Sequence, residues 1–331
     1  MKNLLLKAQF IDKSRKAILL IILFSIINYP FNNHCNAQEG QVSDPQGDSI
    51  IIKSARLIAD NYVFKEIGNS ISSKLLNDFI LGVYKETTTL ESLTGILQGQ
   101  IWEISKDRHF RIGTIGSGQN EDDGGKRSYS EHGFKTIRTI DDSIVYFEFD
   151  HLPGGKDDLN YIREVMSENL FCKAIIFDVR NNIGGSGDFV TCLCSYLFND
   201  HILLYTFHNR DGEIVSSSIT NPPDLLKFTP LAKIPVYVLT GPETRSAAES
   251  LAYTLKYFNR AVIVGEVTAG MAHPAKTLRI DQSVYLTIPF IRFEHPNTGT
   301  DWEGTGVIPN VKVPQDQALE KTLQLIRNIN N

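Results

Sequence analysis

Two junctions in this sequence carry residue types and spacings from which chemistry can be built. The apolar run Ala174-Ile175-Ile176-Phe177-Asp178-Val179 opens into Arg180-Asn181-Asn182-Ile183-Gly184-Gly185-Ser186-Gly187. Glycines there permit positive φ and let a substrate approach backbone amides, which is what stabilising an oxyanion requires. A phosphate-binding loop would need a lysine and a Ser/Thr after its glycines, and both are missing. The second junction, Thr240-Gly241-Pro242-Glu243-Thr244-Arg245-Ser246-Ala247-Ala248-Glu249, follows another apolar run and enters a helix whose apolar face is Leu251, Ala252 and Leu255. A serine at a helix start ordinarily caps it, for about 1 kcal/mol. On a strand-turn-helix junction it can also be a nucleophile, with the Ala247 N–H beside it to hold the charge of a tetrahedral intermediate. Cys192-x-Cys194 suggests a metal, but no second Cys or His pair stands at finger-like spacing. Val190, Leu193 and Leu197 around it read as a buried helix face.

The elements that position these junctions belong to a chain of 331 residues, 42% hydrophobic and 21% charged, which is a globular composition and not a disordered one. With 33 basic against 38 acidic residues the net charge is −5, so no basic excess exists to neutralise phosphates and no nucleic-acid partner is expected. Four cysteines exclude a disulfide scaffold. Lys2, Lys7, Lys13, Arg15 and Lys16, an apolar run from Ala17 to Ile27, and Cys35-Asn36-Ala37 read as a signal peptide over residues 1–37, cleaved near Ala37. That run is too short to span a bilayer comfortably, and Asn32-Asn33-His34 is unlike a lipoprotein site, so no stable membrane anchor is expected. The reading is an exported protein, periplasmic or secreted. Loss of five bases and one acid with the leader takes the mature chain to about −9. Cys172, Cys192 and Cys194 then remain, an odd number, read as buried thiols.

Apolar residues recur at helical spacing from Asp48 to about Lys106, predicting three helices and an N-terminal helical domain over residues 38–113. The polar run from Ser117 to Gly125 predicts an exposed loop, taken as residues 114–133. From residue 134 to 331 strands and helices alternate, with 174–179, 234–239 and 261–265 reading as strands buried on both faces. This predicts an α/β domain with a mixed, largely parallel sheet. Catalytic groups in such sheets collect where strands run into helices. Strand edges near Val284 to Ile288 are expected to take a substrate chain by β-addition.

Phe177-Asp178-Val179-Arg180-Asn181-Asn182-Ile183-Gly184-Gly185, Thr244-Arg245-Ser246-Ala247-Ala248-Glu249 and Val264-Gly265-Glu266-Val267-Thr268-Ala269-Gly270 together resemble, in order and spacing, the C-terminal processing and tricorn-type serine peptidases. Lys106-Asp107-Arg108-His109-Phe110 resembles the retinoid-binding-protein-like branch of that family, and only about 20 residues, Thr114 to Gly133, stand where a PDZ domain would need roughly 90. The resemblance implies a ClpP/crotonase-like core preceded by a small helical bundle. It implies a serine peptidase acting on peptides or proteins, without cofactor or metal. Where the processing branch has its lysine base this chain has Met271, with Lys276 five residues on, so the implied base is instead His109 and the implied acid Glu303. Ser246 is then the nucleophile, and the oxyanion amides are those of Ala247 and of Gly184 or Gly185. His273 is expected to line the substrate pocket, with His151 and His273 as rival bases and Glu249 and Glu266 as rival acids. A hydrophobic-ligand or peptide-binding protein, or an esterase or acyl hydrolase, is the alternative on the same scaffold.

Overall fold

The computed structural model describes residues 44–116, 128–223 and 230–329. The leader read at residues 1–37 lies outside them, as does the polar run from Ser117 to Gly125. In chain order the principal elements begin with α1 (Asp44–Asn61), α2 (Lys65–Ile80), α3 (Leu90–Ser105), β1 (Arg111–Thr114), β2 (Phe134–Ile140), β3 (Ile144–Phe149), α4 (Lys156–Glu168), β4 (Ala174–Asp178) and α5 (Gly187–Cys194). There follow β5 (Leu203–His208), β6 (Ile214–Ile219), β7 (Val236–Thr240), α6 (Ala247–Tyr257), β8 (Val262–Gly265), β9 (Ala275–Arg279), β10 (Val284–Pro289), β11 (Arg292–Glu294), β12 (Val311–Lys312) and α7 (Ala318–Ile329).

The predicted N-terminal helices are α1 to α3, and their apolar stripes, including Ile51, Ala55, Ile58, Ile71, Leu75, Leu93, Leu97 and Ile101, are buried. They do not close a core alone. Val284, Leu286 and Ile288 of β10 complete it, in an antiparallel three-stranded sheet ordered β1-β10-β9. Because β10 is bonded to β1 along one edge and β9 along the other, it offers no free edge to an incoming peptide, against expectation. α3 ends at Lys106 in the left-handed region, φ 52°, which turns the chain into β1 and carries Asp107 to Phe110 across the bundle.

The central sheet is ordered β12-β8-β7-β4-β3-β2, parallel from β12 through β3 with β2 antiparallel at its edge, the mixed, largely parallel sheet expected. β4 and β7 are buried at every position, so their sequences run apolar without alternation. Parallel register places Asp178 beside Leu239, and Thr240 beside Gly265. The loops leaving β4, β7 and β8 therefore open at one end of the sheet, and they contain the glycine pair, Ser246, and the stretch from Glu266 to His273.

Candidate active site

Ser246 immediately precedes α6 with φ 52° and ψ −121°, a conformation outside the small left-handed well that non-glycine residues occasionally use. Such backbone costs on the order of 1–3 kcal/mol and persists only where its surroundings impose it. Here they do. The buried Glu249 carboxylate accepts the Ser246 N–H at 2.9 Å, the Gly270 N–H at 2.7 Å, the Met271 N–H at 2.9 Å, and the Thr268 hydroxyl. Burial pushes the Glu249 carboxyl up, partly offset by these donors. Arg245 N–H donates to the Asn182 carbonyl at 3.0 Å, and the Thr244 hydroxyl to the Val179 carbonyl at 2.8 Å, fastening the turn to the glycine loop.

The glycines are required by that closeness. A Cβ on Gly184 would stand 2.8 Å from Ser246 Cβ, and one on Gly185 only 2.1 Å from the Leu152 carbonyl oxygen. Leu152 N–H donates to Gly184 O and Ser186 N–H to Leu152 O, so the Gly185 N–H takes no part in that ladder. The Gly184 N–H is different: it donates to Asn182 Oδ1 at 2.8 Å. Gly184 is thereby corrected from oxyanion donor to spacer, because its amide already has an acceptor. Ala247 N–H, at the first position of α6, belongs to the set that an α-helix leaves without intrahelical partners.

His109 stands two residues before β1. Its backbone N–H donates to Asp107 Oδ1 at 3.0 Å, and its Nδ1 is enclosed without a hydrogen-bond partner, 3.9 Å from Glu303 Oε2. Burial drives the imidazole pKa down to about 4; Asp107 opposes this, while His273 and Arg111 add to it. The ring is therefore neutral at neutral pH. Glu303 accepts Arg108 N–H at 3.1 Å, Ala272 N–H at 2.6 Å and His273 N–H at 3.3 Å. Burial and the charge of Asp107 push its carboxyl up to about 7, against the pull of His273 and its backbone donors.

Among the described residues no hydrogen bond joins Ser246 to His109 directly. Their supports meet on one segment: Gly270 and Met271 serve Glu249 on the serine's side, and Ala272 and His273 serve Glu303 on the histidine's side. His273 itself is corrected. It is 2% exposed, and both ring nitrogens face carboxylates, Nδ1 at 2.9 Å from Asp107 and Nε2 at 3.2 Å from Asp301, so it does not line a substrate pocket. Asp107, His273 and Glu303 are close enough to be compared with a metal site, but these contacts are those of an ion cluster whose imidazole is already occupied.

The rivals sit elsewhere in the hydrogen-bond pattern. His151 Nδ1 lies 2.9 Å from Asp150, Glu266 accepts Gln315 N–H, and the Lys276 ammonium lies over Phe290. Asn310 pairs with Ile263 through its backbone N–H and its side-chain oxygen, which braces β8 beneath the site. Sequence reasoning missed Asp107 and Asp301 altogether. Their signal was local, an acid two residues before each of His109 and Glu303, but nothing local said that they meet.

The model of peptidase family S41 matches residues 146–313. A carboxyl-terminal-processing protease of Picosynechococcus sp. is 28% identical over 141 residues, which is 43% of this chain and 32% of that protein. The chloroplastic carboxyl-terminal-processing peptidase 3 of Arabidopsis thaliana is 26% identical over 180 residues, 54% of this chain and 32% of its own length. The chain thus spans about a third of the length of these curated relatives. Among solved structures, the photosystem II D1 C-terminal processing protease superposes with a TM-score of 0.56 at 14% identity, covering 86% of this chain and 98% of that one, a likeness of fold.

Proposed function

The chain belongs to peptidase family S41, and from that premise we propose that it is a serine peptidase with Ser246 as nucleophile, His109 as general base and Glu303 as the anion facing that base. The observation that carries the reading is the backbone of Ser246: Glu249 closes a capping box on its N–H, yet the serine is also strained and packed on glycine at a strand-turn-helix junction, which a plain cap does not require and which presents a hydroxyl.

In this mechanism His109, neutral at working pH, takes the Ser246 hydroxyl proton on Nε2 as Oγ attacks the substrate carbonyl carbon. The carbonyl oxygen becomes an oxyanion, facing the N–H groups of Ala247 and Gly185. The imidazolium is balanced through Nδ1 by Glu303 and then gives its proton to the leaving amine. An acyl-enzyme remains, and water repeats the sequence to release the acid and restore Ser246. The names of the carboxyl-terminal-processing relatives favour a peptide or protein substrate cut near its C-terminus. Export through the leader at residues 1–37 accompanies this reading, and N-terminal sequencing of the mature protein, expected to begin just after Ala37, checks it.

The decisive test pairs a fluorophosphonate probe with peptide and protein substrates, the cuts being placed by mass spectrometry. Wild-type protein should be labelled and should cleave; Ser246→Ala should do neither while folding normally. A folded wild type that neither labels nor cleaves would return the scaffold to the ligand-binding alternative.

A further inference from the structure

His273 meets three carboxylates drawn from two other segments. Nδ1 lies 2.9 Å from Asp107 Oδ2 and 3.5 Å from Glu303 Oε2, and Nε2 lies 3.2 Å from Asp301 Oδ2. An imidazole whose two nitrogens both face carboxylate oxygens is satisfied on both sides only when both carry protons, because the neutral ring turns a lone pair toward one of them. A buried cation among acids is stable here because each acid has further donors: Tyr62 hydroxyl on Asp107, backbone N–H groups on Glu303, and the Glu303 N–H on Asp301. Phe64 closes the remaining side, edge-on to the His273 ring at 5.1 Å.

Each acid around His273 also holds a piece of the site. Asp107 Oδ1 fixes the backbone of His109, Asp301 Oδ1 fixes the backbone of Glu303, and Glu303 reaches from the amides of residues 272 and 273 to that of Arg108.

We propose that His273 is a positioning residue: as an imidazolium clamped between Asp107 and Asp301, it locks the His109 loop to the Glu303 loop and keeps Glu303 anionic beside the base. The proposal rests on the assignment of Ser246, His109 and Glu303 above. His273 touches neither substrate nor Ser246 in this scheme; it acts through Glu303 and Asp107.

The balance of burial against charge agrees with the geometry and gives it a sign. Burial opposes charge on His273, but the bonds to Asp107 and Asp301 outweigh it and raise the pKa to about 10. His109 is neutral above about 4, so activity lost as pH falls through about 7 reports proton uptake by Glu303. Of the titratable groups around Glu303, Asp107 raises its pKa and His273 lowers it, and His109, Asp301 and Tyr62 also stand against it. Removing the cation must therefore move the acid limb of the pH profile upward.

The experiment is kcat/KM against pH for wild type, His273→Gln and Asp107→Asn, with fluorophosphonate labelling rates measured in parallel. For His273→Gln the expected result is a fall in kcat of about 10- to 100-fold, little change in KM, and an acid limb about one pH unit higher. Asp107→Asn, which takes a carboxylate from His273 Nδ1 and the anchor from the His109 backbone, should lower kcat by a comparable factor. A limb that stays put in folded His273→Gln would overturn the clamp and leave His273 as packing. If a variant does not fold, ¹⁵N imidazole spectra of the wild-type protein at about pH 8 still decide: both His273 nitrogens protonated supports the proposal, and a neutral ring refutes it. A wild type that neither labels nor cleaves would sink the peptidase reading, while those spectra would still decide whether the clamp exists.

Discussion

Around Ser246 the holding is done almost wholly by backbone. Glycines lie flush against the turn, carbonyls of the β4 loop take up its N–H and hydroxyl groups, and one carboxylate gathers three amides. Around His109 the holding is done by charge, with Asp107, Asp301 and Glu303 set about one buried imidazole. The first arrangement fixes a position. The second fixes a protonation state as well, and it can be loosened by moving a single proton. A nucleophile needs only to be aimed, whereas a base must be both aimed and uncharged until the moment it acts.

Two substitutions press on this contrast. His109→Ala should lower kcat by about 10²–10⁴ while leaving the melting temperature close to wild type, since its Nδ1 bonds nothing. Steady-state kinetics with thermal melts would settle it, and an unchanged rate would strip the charged half of its catalytic role and move the search to His151. Gly185→Ala attacks the backbone half, where its Cβ would collide with the Leu152 carbonyl and turn the amide away. The expected loss is about 10²–10³ in kcat with KM nearly constant; full activity with alanine there would mean that Ala247 holds the oxyanion without it.

The same contrast explains what could be read from the sequence. The place of Ser246 at a strand-turn-helix junction and of the glycine pair beside it was legible because strand, turn and helix are consecutive. The parallel sheet was legible from the apolar runs of β4, β7 and β8. Which of Gly184 and Gly185 keeps a free amide was not legible, because the Gly184 N–H is captured by a side chain two residues away, a choice that composition does not advertise. His273 was misjudged more deeply. It follows a glycine-containing turn, as a pocket residue would, and its actual partner Asp107 is 166 residues distant. β10 looked like an available edge because alternation reports which face is buried and says nothing about whether another strand lies alongside.

The pairing of β1 with β10 has a consequence for the order of assembly. Arg111 sits opposite Thr287, so the strand that carries His109 into place gains its partner only after more than 170 further residues have been made. Such long-range closure is slow relative to helix formation. The turn at Ser246 draws its last amide from Met271, not far ahead of Thr287 in the chain, so the nucleophile's turn and the docking of the histidine both wait for the same late stretch to be made.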